Sequence, residues 1–382
     1  MRSARCLTLA AGLCCSTLVS IATAQTSGVQ PTLKAVPAVA AQRDARPPSP
    51  GPERLELGAA LDSESGLIGS LYAGKNNLIP GVFSFATFRY ARETQRGQAG
   101  LFKPDAFGAH VDAGIDFNYR RDAYDDQGFG ASTYGVEPYV QLHTGPKGIL
   151  SAGVGYRVQT VDRLAVDAPL SFRRDEGTHS GLYLRASYAL DKFVDTKRLT
   201  VSANVDNHLY NIGSGRDAVW QSEARLRSRI ALVPDSLSLL NIVRVGYMHG
   251  LGGGSPSVAD RFFIGGASLR GFEPRHLGPR DGNYFAGGDR YATTSVDLIR
   301  KLGTVLGSQV SVSVFADVGS LWGADLRPDT AVDTRARLRA SAGVAVTFSV
   351  SGLPVSVYAA KPVKKAPHDR EQNVGLSVSM RF

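Results

Sequence analysis

An alternation of apolar and polar residues with a period of two runs through most of this chain. The segment VSVSVFADVGSLW at 310–322 places valine at three successive even positions, with serine between them. The same period continues in LRASAGVAVTFSV at 338–350 and in VGLSVSMRF at 374–382. Because successive side chains of a β-strand point to opposite faces, this pattern predicts strands with one apolar and one polar face.

Strands with two such unequal faces are compatible with a soluble sandwich or with a membrane barrel that has a polar lumen. Three features favour the barrel. The predicted strands are about 10–14 residues long, which exceeds the usual length in soluble sheets. Their polar faces mix Ser, Gly, Thr and Arg, and the sequence ends on an aromatic residue of an apolar face, Phe382. Because a bilayer cannot satisfy an open strand edge, such strands must close into a barrel.

The number of predicted strands is about 15 over roughly 330 residues. Since single-chain bacterial barrels have an even number of strands, we predict an all-β chain that forms one transmembrane antiparallel β-barrel of sixteen strands. Fourteen strands is the alternative. We expect the strand missing from the count within residues 81–108 or 162–178.

The first part of the chain has the features of an export signal rather than of a folded domain. Two arginines precede a mostly apolar stretch, and residues 22–24 (Ala-Thr-Ala) form a small-x-small cleavage pattern. Residues 1–24 are therefore predicted to be a secretory signal peptide, with a mitochondrial presequence as the alternative. Residues 25–53 are rich in Ala and Pro and predict a disordered linker, and residues 54–382 form the barrel. All three cysteines lie in the predicted signal peptide, so the mature chain forms no disulfide.

The segment DRFFIGGASLRGFEPRHLGPRDG at 260–282 interrupts the alternation. It is rich in arginine and glycine and has no strand-like or helical period after Gly265. Five predicted strands follow it, at 289–301, 308–321, 336–350, 353–361 and 372–382. Because five is odd, residues 250–288 are expected on the opposite side of the membrane from the carboxyl terminus. With a periplasmic terminus, this segment is a long external loop.

The residues in and after this loop resemble a known family. RFFIGGASLRGF at 261–272 combines a Gly-Gly pair with an Arg-Gly-aromatic motif. It is followed in order by LGPRDG…AGGD (277–289), SVDL (295–298) and FADVGSLW (315–322). This series resembles the BamA- and TamA-like barrel-assembly insertases of outer membranes, the bacterial surface antigen barrels. The resemblance covers about 140 carboxyl-terminal residues, and the earlier strands match the family only in pattern.

The resemblance implies that the loop folds back into the lumen, where its arginine contacts acidic residues of the wall. The arginine corresponds to Arg270, and the acids correspond to Asp297 and Asp317. Strand parity agrees with this, since both aspartates share a face with serine or threonine and oppose valine. A guanidinium can bind two carboxylates through paired, charge-assisted hydrogen bonds, which the point charge of lysine cannot reproduce.

Four neighbouring residues complete the expected loop lock. Gly265, Gly266 and Gly271 are expected to allow turns or close packing against the wall. Phe272 is expected to anchor the loop tip by packing. Phe382 resembles the signal that outer-membrane barrels present to the assembly machinery.

The function implied by the resemblance is insertion, assembly or translocation of membrane proteins. The alternative is a pore-forming channel or surface-antigen barrel without insertase activity. The expected location is the bacterial outer membrane, with the mitochondrial or plastid outer membrane as alternatives. Expected partners are outer-membrane lipid or lipopolysaccharide, and nascent β-barrel clients or other components of the assembly machinery. The sequence resembles a member without the periplasmic POTRA repeats of the family.

Catalytic and nucleotide-binding motifs are absent from the sequence. The seven histidines show no paired metal-ligand spacing, and neither a Gly-x-Ser-x-Gly elbow nor a Gly-Lys-Ser/Thr phosphate loop occurs. The formal net charge of +9 is scattered rather than concentrated on a basic face with interleaved aromatics. We therefore expect no enzyme activity, catalytic residue, metal, cofactor or nucleic-acid partner.

Overall fold

The computed structural model describes residues 53–214, 216–305, 308–324, 333–350 and 353–381. The predicted signal peptide at 1–24, all but the last residue of the predicted linker at 25–53, and Phe382 lie outside the described residues. None of the helices in this described part has the length and apolar character needed to cross a membrane.

The described residues form twenty strands and one short α-helix. The strands are β1 (Arg54–Asp62), β2 (Gly66–Ile79), β3 (Val82–Tyr90), β4 (Thr94–Lys103), β5 (Val111–Tyr124), β6 (Phe129–His143), β7 (Gly148–Asp162), β8 (Gly177–Asp195), β9 (Leu199–Ile212), β10 (Val219–Val233), β11 (Leu237–Gly250), β12 (Gly271–Phe272), β13 (Arg280–Asp281), β14 (Tyr284–Phe285), β15 (Arg290–Val305), β16 (Ser308–Trp322), β17 (Arg339–Val350), β18 (Leu353–Lys364), β19 (Glu371–Gln372) and β20 (Val374–Arg381). Helix α1 (Leu170–Arg173) lies between β7 and β8, and single 3-10 turns occur at Asp125–Gln127, Leu251–Gly253 and Gly266–Ser268.

Sixteen of the described strands form the wall of one closed antiparallel barrel. These are β1 to β11, β15 to β18 and β20, and each pairs with its neighbours in chain order, with β20 closing against β1. The prediction of sixteen strands is confirmed and the alternative of fourteen is wrong. Residues 81–108 contain β3 and β4, whereas residues 162–178 contain α1 and its loop. The sixteen wall strands are also more variable in length than predicted, from 8 residues in β20 to 19 in β8.

The two faces of the wall differ as the sequence period predicts. On β16, Val314 points outward and is 60% exposed, whereas its neighbour Phe315 points into the lumen and is 3% exposed. Leu298, opposite Val314 on β15, also lies on the outer face. An outer face of this kind matches a hydrocarbon environment, because the apolar side chains exposed here would be covered by lipid.

The connections differ in length between the two ends of the barrel. At one end, which we call the short-turn end, strands are joined by tight links such as those at 80–81 and 234–236. At the other, the long-loop end, the links include 163–176 and 251–289. Transmembrane barrels of bacteria place short turns on the periplasmic side and long loops outside.

The apolar core lies inside the lumen rather than between sheets. Loop residues Leu269, Phe272 and Leu277 are fully buried and pack with wall residues such as Tyr291 and Leu321. A second cluster joins Phe172 of α1 to residues of both the 251–289 loop and the wall. Two loops therefore fill the long-loop half of the lumen, and this filling positions the candidate site.

Candidate functional site

Arg270 lies at the centre of a buried polar cluster on the inner wall. Its Nε donates to Asp317 Oδ2 at 2.8 Å, and one terminal nitrogen donates to Asp317 Oδ1 at 2.7 Å. Both terminal nitrogens donate to Asp297, at 2.8 and 3.1 Å. The side chains of Arg270, Asp297 and Asp317 are 10%, 6% and 1% exposed. The structure thus brings together the three residues that the sequence analysis singled out.

The wall strands that hold the two aspartates also supply further partners. Ser295 of β15 lies opposite Asp317 of β16, and its hydroxyl accepts from Arg270 at 2.8 Å while donating to Asp317 at 2.7 Å. The guanidinium carbon of Arg270 lies 3.5 Å from the centroid of the Phe315 ring, which adds a cation–π contact. Ser341 of β17 donates to the Arg270 carbonyl oxygen. Three adjacent strands therefore orient one loop arginine.

The glycines of the loop allow backbone positions that other residues do not adopt readily. Gly265 has φ +116°, and a Cβ there would lie 2.3 Å from the Glu273 carbonyl oxygen. Gly271 has φ +89°, and its Cβ would lie 3.1 Å from the Ser341 Cβ. Gly266 also has a positive φ, +55°. Because glycine carries no Cβ, the loop can turn tightly next to the wall.

Phe272 follows this turn and is fully buried among loop and wall side chains. Together with Gly271 it forms the two-residue strand β12, which pairs with β19. The Glu273 amide continues this pairing by donating to the Arg370 carbonyl at 3.0 Å. The residues after Arg270 are thus held by backbone hydrogen bonds to the segment that leads directly into β20.

The first strand, β1, pairs over fewer residues with β20 than with β2. We call the boundary between β1 and β20 the seam. Residues 58–62 of β1 pair with residues 377–381 of β20, whereas β1 pairs with β2 over its full length, 54–62. Within the described residues, positions 54–57 pair with β2 alone.

The same loop reaches both sides of this seam at the long-loop end. On the β20 side it pairs with β19. On the β1 side, Arg275 lies 3.8 Å from Glu64 in the β1–β2 turn and donates to Glu93 at 3.2 Å. Gln372 of β19 donates to the Ser63 carbonyl at 3.2 Å, which connects the two sides directly. We call residues 271–275 and 370–372, together with Ser63 and Glu64, the seam clasp.

The sequence matches a known protein family over most of its length. The Omp85 superfamily domain matches residues 74–382, which include the loop, both lock aspartates and most of the wall. The chain belongs to the Omp85 superfamily.

Relatives of this Omp85 barrel include one protein from a bacterium and one from a fungus. The outer membrane protein assembly factor BamA of Neorickettsia risticii is 25% identical over 354 residues, covering 86% of this chain and 45% of BamA. A SAM50-like protein of Schizosaccharomyces pombe is 39% identical over 88 residues, covering 22% of this chain and 18% of that protein. The chain therefore spans less than half the length of these curated relatives.

Solved structures share the fold of this Omp85 chain. BamA from Haemophilus ducreyi lacking POTRA domains 1–3 superimposes with a TM-score of 0.74 at 20% identity, covering 86% of this chain and 70% of the other. CdiB from Escherichia coli gives a TM-score of 0.57 at 11% identity, covering 88% and 64%.

The Omp85 loop has a second buried anchor that the sequence analysis did not identify. Asp260, at the start of the loop motif, accepts two hydrogen bonds from Arg157 of β7, at 2.9 and 3.0 Å. Gln159 donates to the same carboxylate at 2.9 Å, and the Arg157 guanidinium lies over the Tyr210 ring. Strand alternation could have indicated this anchor, since Arg157 and Gln159 occupy alternate positions on the inner face of β7.

A further buried ion pair, which the sequence analysis also did not identify, holds the loop between β18 and β20. Arg339 of β17 donates twice to Asp369, at 2.9 Å each, and both side chains are almost fully buried. This contact fixes the position of β19, and therefore of the seam clasp, relative to the wall.

Proposed function

We propose that this Omp85 barrel inserts or translocates β-rich client proteins at an outer membrane, through the seam between β1 and β20. The observation that carries the proposal is the short pairing of the last strand, β20, which pairs over five described residues with β1 and over five with β18, in a chain that belongs to this superfamily. Each backbone hydrogen bond contributes about 0.5–1.5 kcal/mol, so a shorter ladder lowers the free energy of opening. An opened edge exposes unpaired donors and acceptors that a client strand can pair with.

The loop lock supports the proposal because it is coupled to the seam. Arg270 fixes the loop to β15 and β16, and the residues directly after it form the seam clasp. In our proposal, the lock positions the clasp, and the clasp holds the seam closed until a client engages it. Phe382 would then act as the signal by which this barrel is itself assembled.

The proposed partners follow from the names of the relatives and from the apolar outer face of the barrel wall. BamA of N. risticii is named as an outer membrane protein assembly factor. We propose nascent β-barrel clients and components of an assembly machinery as protein partners, and lipid or lipopolysaccharide at the outer face. A bacterial outer membrane is the proposed location, with the SAM50-like relative supporting the mitochondrial alternative. Client folding supplies the driving force in this scheme, without a nucleotide or metal.

A reversible crosslink across the seam tests the proposal. Ala60 of β1 lies opposite Ser379 of β20, and directly paired positions of antiparallel strands are close enough for a disulfide. The full chain, with Cys6, Cys14 and Cys15 replaced by serine, would carry Ala60→Cys and Ser379→Cys. Reconstituted in liposomes, we expect the open form to accelerate folding of a second β-barrel protein, the oxidised form not to do so, and reduction to restore the rate.

The matched control places the crosslink on the other side of β1. Ala60 also lies opposite Ile68 of β2, so Ala60→Cys with Ile68→Cys closes a pair that the proposal does not require to open. Equal loss of activity in both oxidised proteins would show that rigidity rather than the seam matters. Ion conductance without accelerated client folding would instead favour the channel alternative.

A further inference from the structure

The lumen wall below the loop lock carries an unusual group of arginines. Arg225, Arg227 and Arg229 occupy alternate positions of β10 and share its inner face, as the outward position of Leu226 indicates. Arg244 of β11 lies directly opposite Arg225. Two like charges at directly opposed positions of an antiparallel pair destabilise it unless a counter-charge is present.

Arg244 has no counter-charge within the described part of the chain. Its side chain is buried, with only 2% of the residue exposed, and its Nε has no hydrogen-bond partner. No described carboxylate forms an ion pair with it. Thr293, which lies opposite Arg244 on β15, is 3% exposed, and its hydroxyl also lacks a partner. Two adjacent buried donors thus point into the lumen without an acceptor.

The carboxylates nearest in register are occupied by other groups. Glu223 accepts from Gln221 and from the Tyr291 hydroxyl, each at 2.9 Å. Asp297 and Asp317 are held by Arg270. Because an unpaired buried charge costs several kcal/mol, an anion from outside the chain that binds Arg244 would stabilise the barrel.

Access to this position is from the short-turn end. Arg227, two residue pairs closer to that end, is exposed, whereas Arg244 is buried. On the other side, fully buried Leu269 and Leu321 belong to the apolar cluster that joins the loop to the wall. A small anion can therefore enter past Arg227, where the arginine charges attract it before it reaches Arg244.

We propose that Arg244 and Thr293 form a binding site for a small oxyanion that carries a phosphate or carboxylate group. The guanidinium of Arg244 donates to two oxygens of the group in a forked geometry, and the Thr293 hydroxyl donates to one. Arg225 and Arg227 line the approach to the site on the inner face of β10. The site is independent of seam opening, and it gives the Omp85 barrel a ligand that binds on the lumen side.

Thermal unfolding of the full chain refolded in detergent tests this site. At fixed ionic strength, we expect replacement of chloride by inorganic phosphate to raise the midpoint by about 2–4 °C, because a ligand that binds only the folded state stabilises it. Acetate in place of phosphate distinguishes a carboxylate preference. The variant Arg244→Gln should lose the phosphate-dependent rise and, since it removes a buried charge without a counter-charge among the described residues, should unfold at a higher midpoint in chloride.

Two further variants keep the test independent of folding defects. Thr293→Val, which removes only the hydroxyl, should retain heat-modifiable gel mobility and show a smaller phosphate-dependent rise. Arg300→Gln changes an exposed arginine on the outer face of β15 and should leave the full rise intact. A wild-type midpoint that responds to neither anion, or a rise that persists in Arg244→Gln, would overturn the proposal.

Discussion

Replacement of Arg270 by alanine is the most direct perturbation of the loop lock. The change removes one cation from two carboxylates that lie close together, since an oxygen of each is within 3.2 Å of the Ser295 hydroxyl. It also removes the contact with the Phe315 ring. Without the guanidinium, Asp297 and Asp317 remain buried and repel each other.

The expected loss of stability follows from the burial of the three groups. Their side chains are 10% exposed or less, so screening by water is limited. Removing one partner of such a buried pair costs about 3–5 kcal/mol. The loss of the cation–π contact, about 1–2 kcal/mol, lies within that range rather than adding to it, because contributions of one side chain are not independent. We expect Arg270→Ala to lower the free energy of unfolding by about 3–5 kcal/mol.

Urea unfolding in lipid bilayers, followed by tryptophan fluorescence, measures this change. Trp220 and Trp322 lie on the wall at the long-loop end, where the lock is positioned. Two variants serve as controls. Arg337→Ala removes an exposed ion pair with Asp333 and should cost less than about 0.5 kcal/mol.

The second control removes the whole network at once. The triple variant Arg270→Met, Asp297→Asn and Asp317→Asn removes all three charges of this cluster, so it should recover more than half of the loss seen in Arg270→Ala. If Arg270→Ala unfolds with the same free energy as Arg337→Ala, the buried ion pair does not stabilise the barrel and the reasoning is refuted.

Two further predictions concern the backbone and the second anchor of the loop. Gly271→Ala should destabilise the barrel by about 1–3 kcal/mol in urea unfolding, because φ is +89° and the added Cβ meets Ser341. Gly282→Ala, where φ is +57° and nothing lies within 4 Å of the added Cβ, should cost less, and equal costs would show that contact with the wall is unimportant. Asp260→Asn should weaken the contact with Arg157 and speed protease cleavage within 251–289, measured by mass spectrometry of the folded barrel. Cleavage at the wild-type rate would mean that the lock at Arg270 alone holds the loop.

The strands could be predicted from the sequence where the lipid-facing side chains are apolar and the lumen-facing ones are polar. In β16 and β17, valine and alanine face outward while serine and aspartate face inward, and the predicted strands at 308–321 and 336–350 match the observed ones closely. The contrast fails in β3, where Phe83 and Phe85 face inward and Phe88 faces outward. With aromatics on both faces, the period carries no information, which is why the strand in 81–108 was missing from the count.

The candidate site was predictable only in part for a related reason. Asp297 and Asp317 lie in strands with a clear period, so local parity alone indicates their face. The pairs Arg157–Asp260 and Arg339–Asp369 join residues far apart in the chain, and each depends on how the loops fill the lumen. The alternation within one strand shows which side chains point into the lumen. It does not show which loop residue each of them contacts.

The contacts of the loop differ in burial, and this difference separates the lock from the clasp. The lock at Arg270 and the anchor at Asp260 are buried ion pairs. By contrast, the partners of Arg275 in the clasp, Glu64 and Glu93, are 27% and 40% exposed. The Arg275 side chain itself is 13% exposed, so these pairs are partly open to water and contribute less than the buried pairs of the lock and the anchor. In our proposal, the seam opens through release of the clasp while the buried lock keeps the loop inside the lumen. In this scheme, neutralising Glu64 and Glu93 would raise the rate of seam opening more than it lowers global stability.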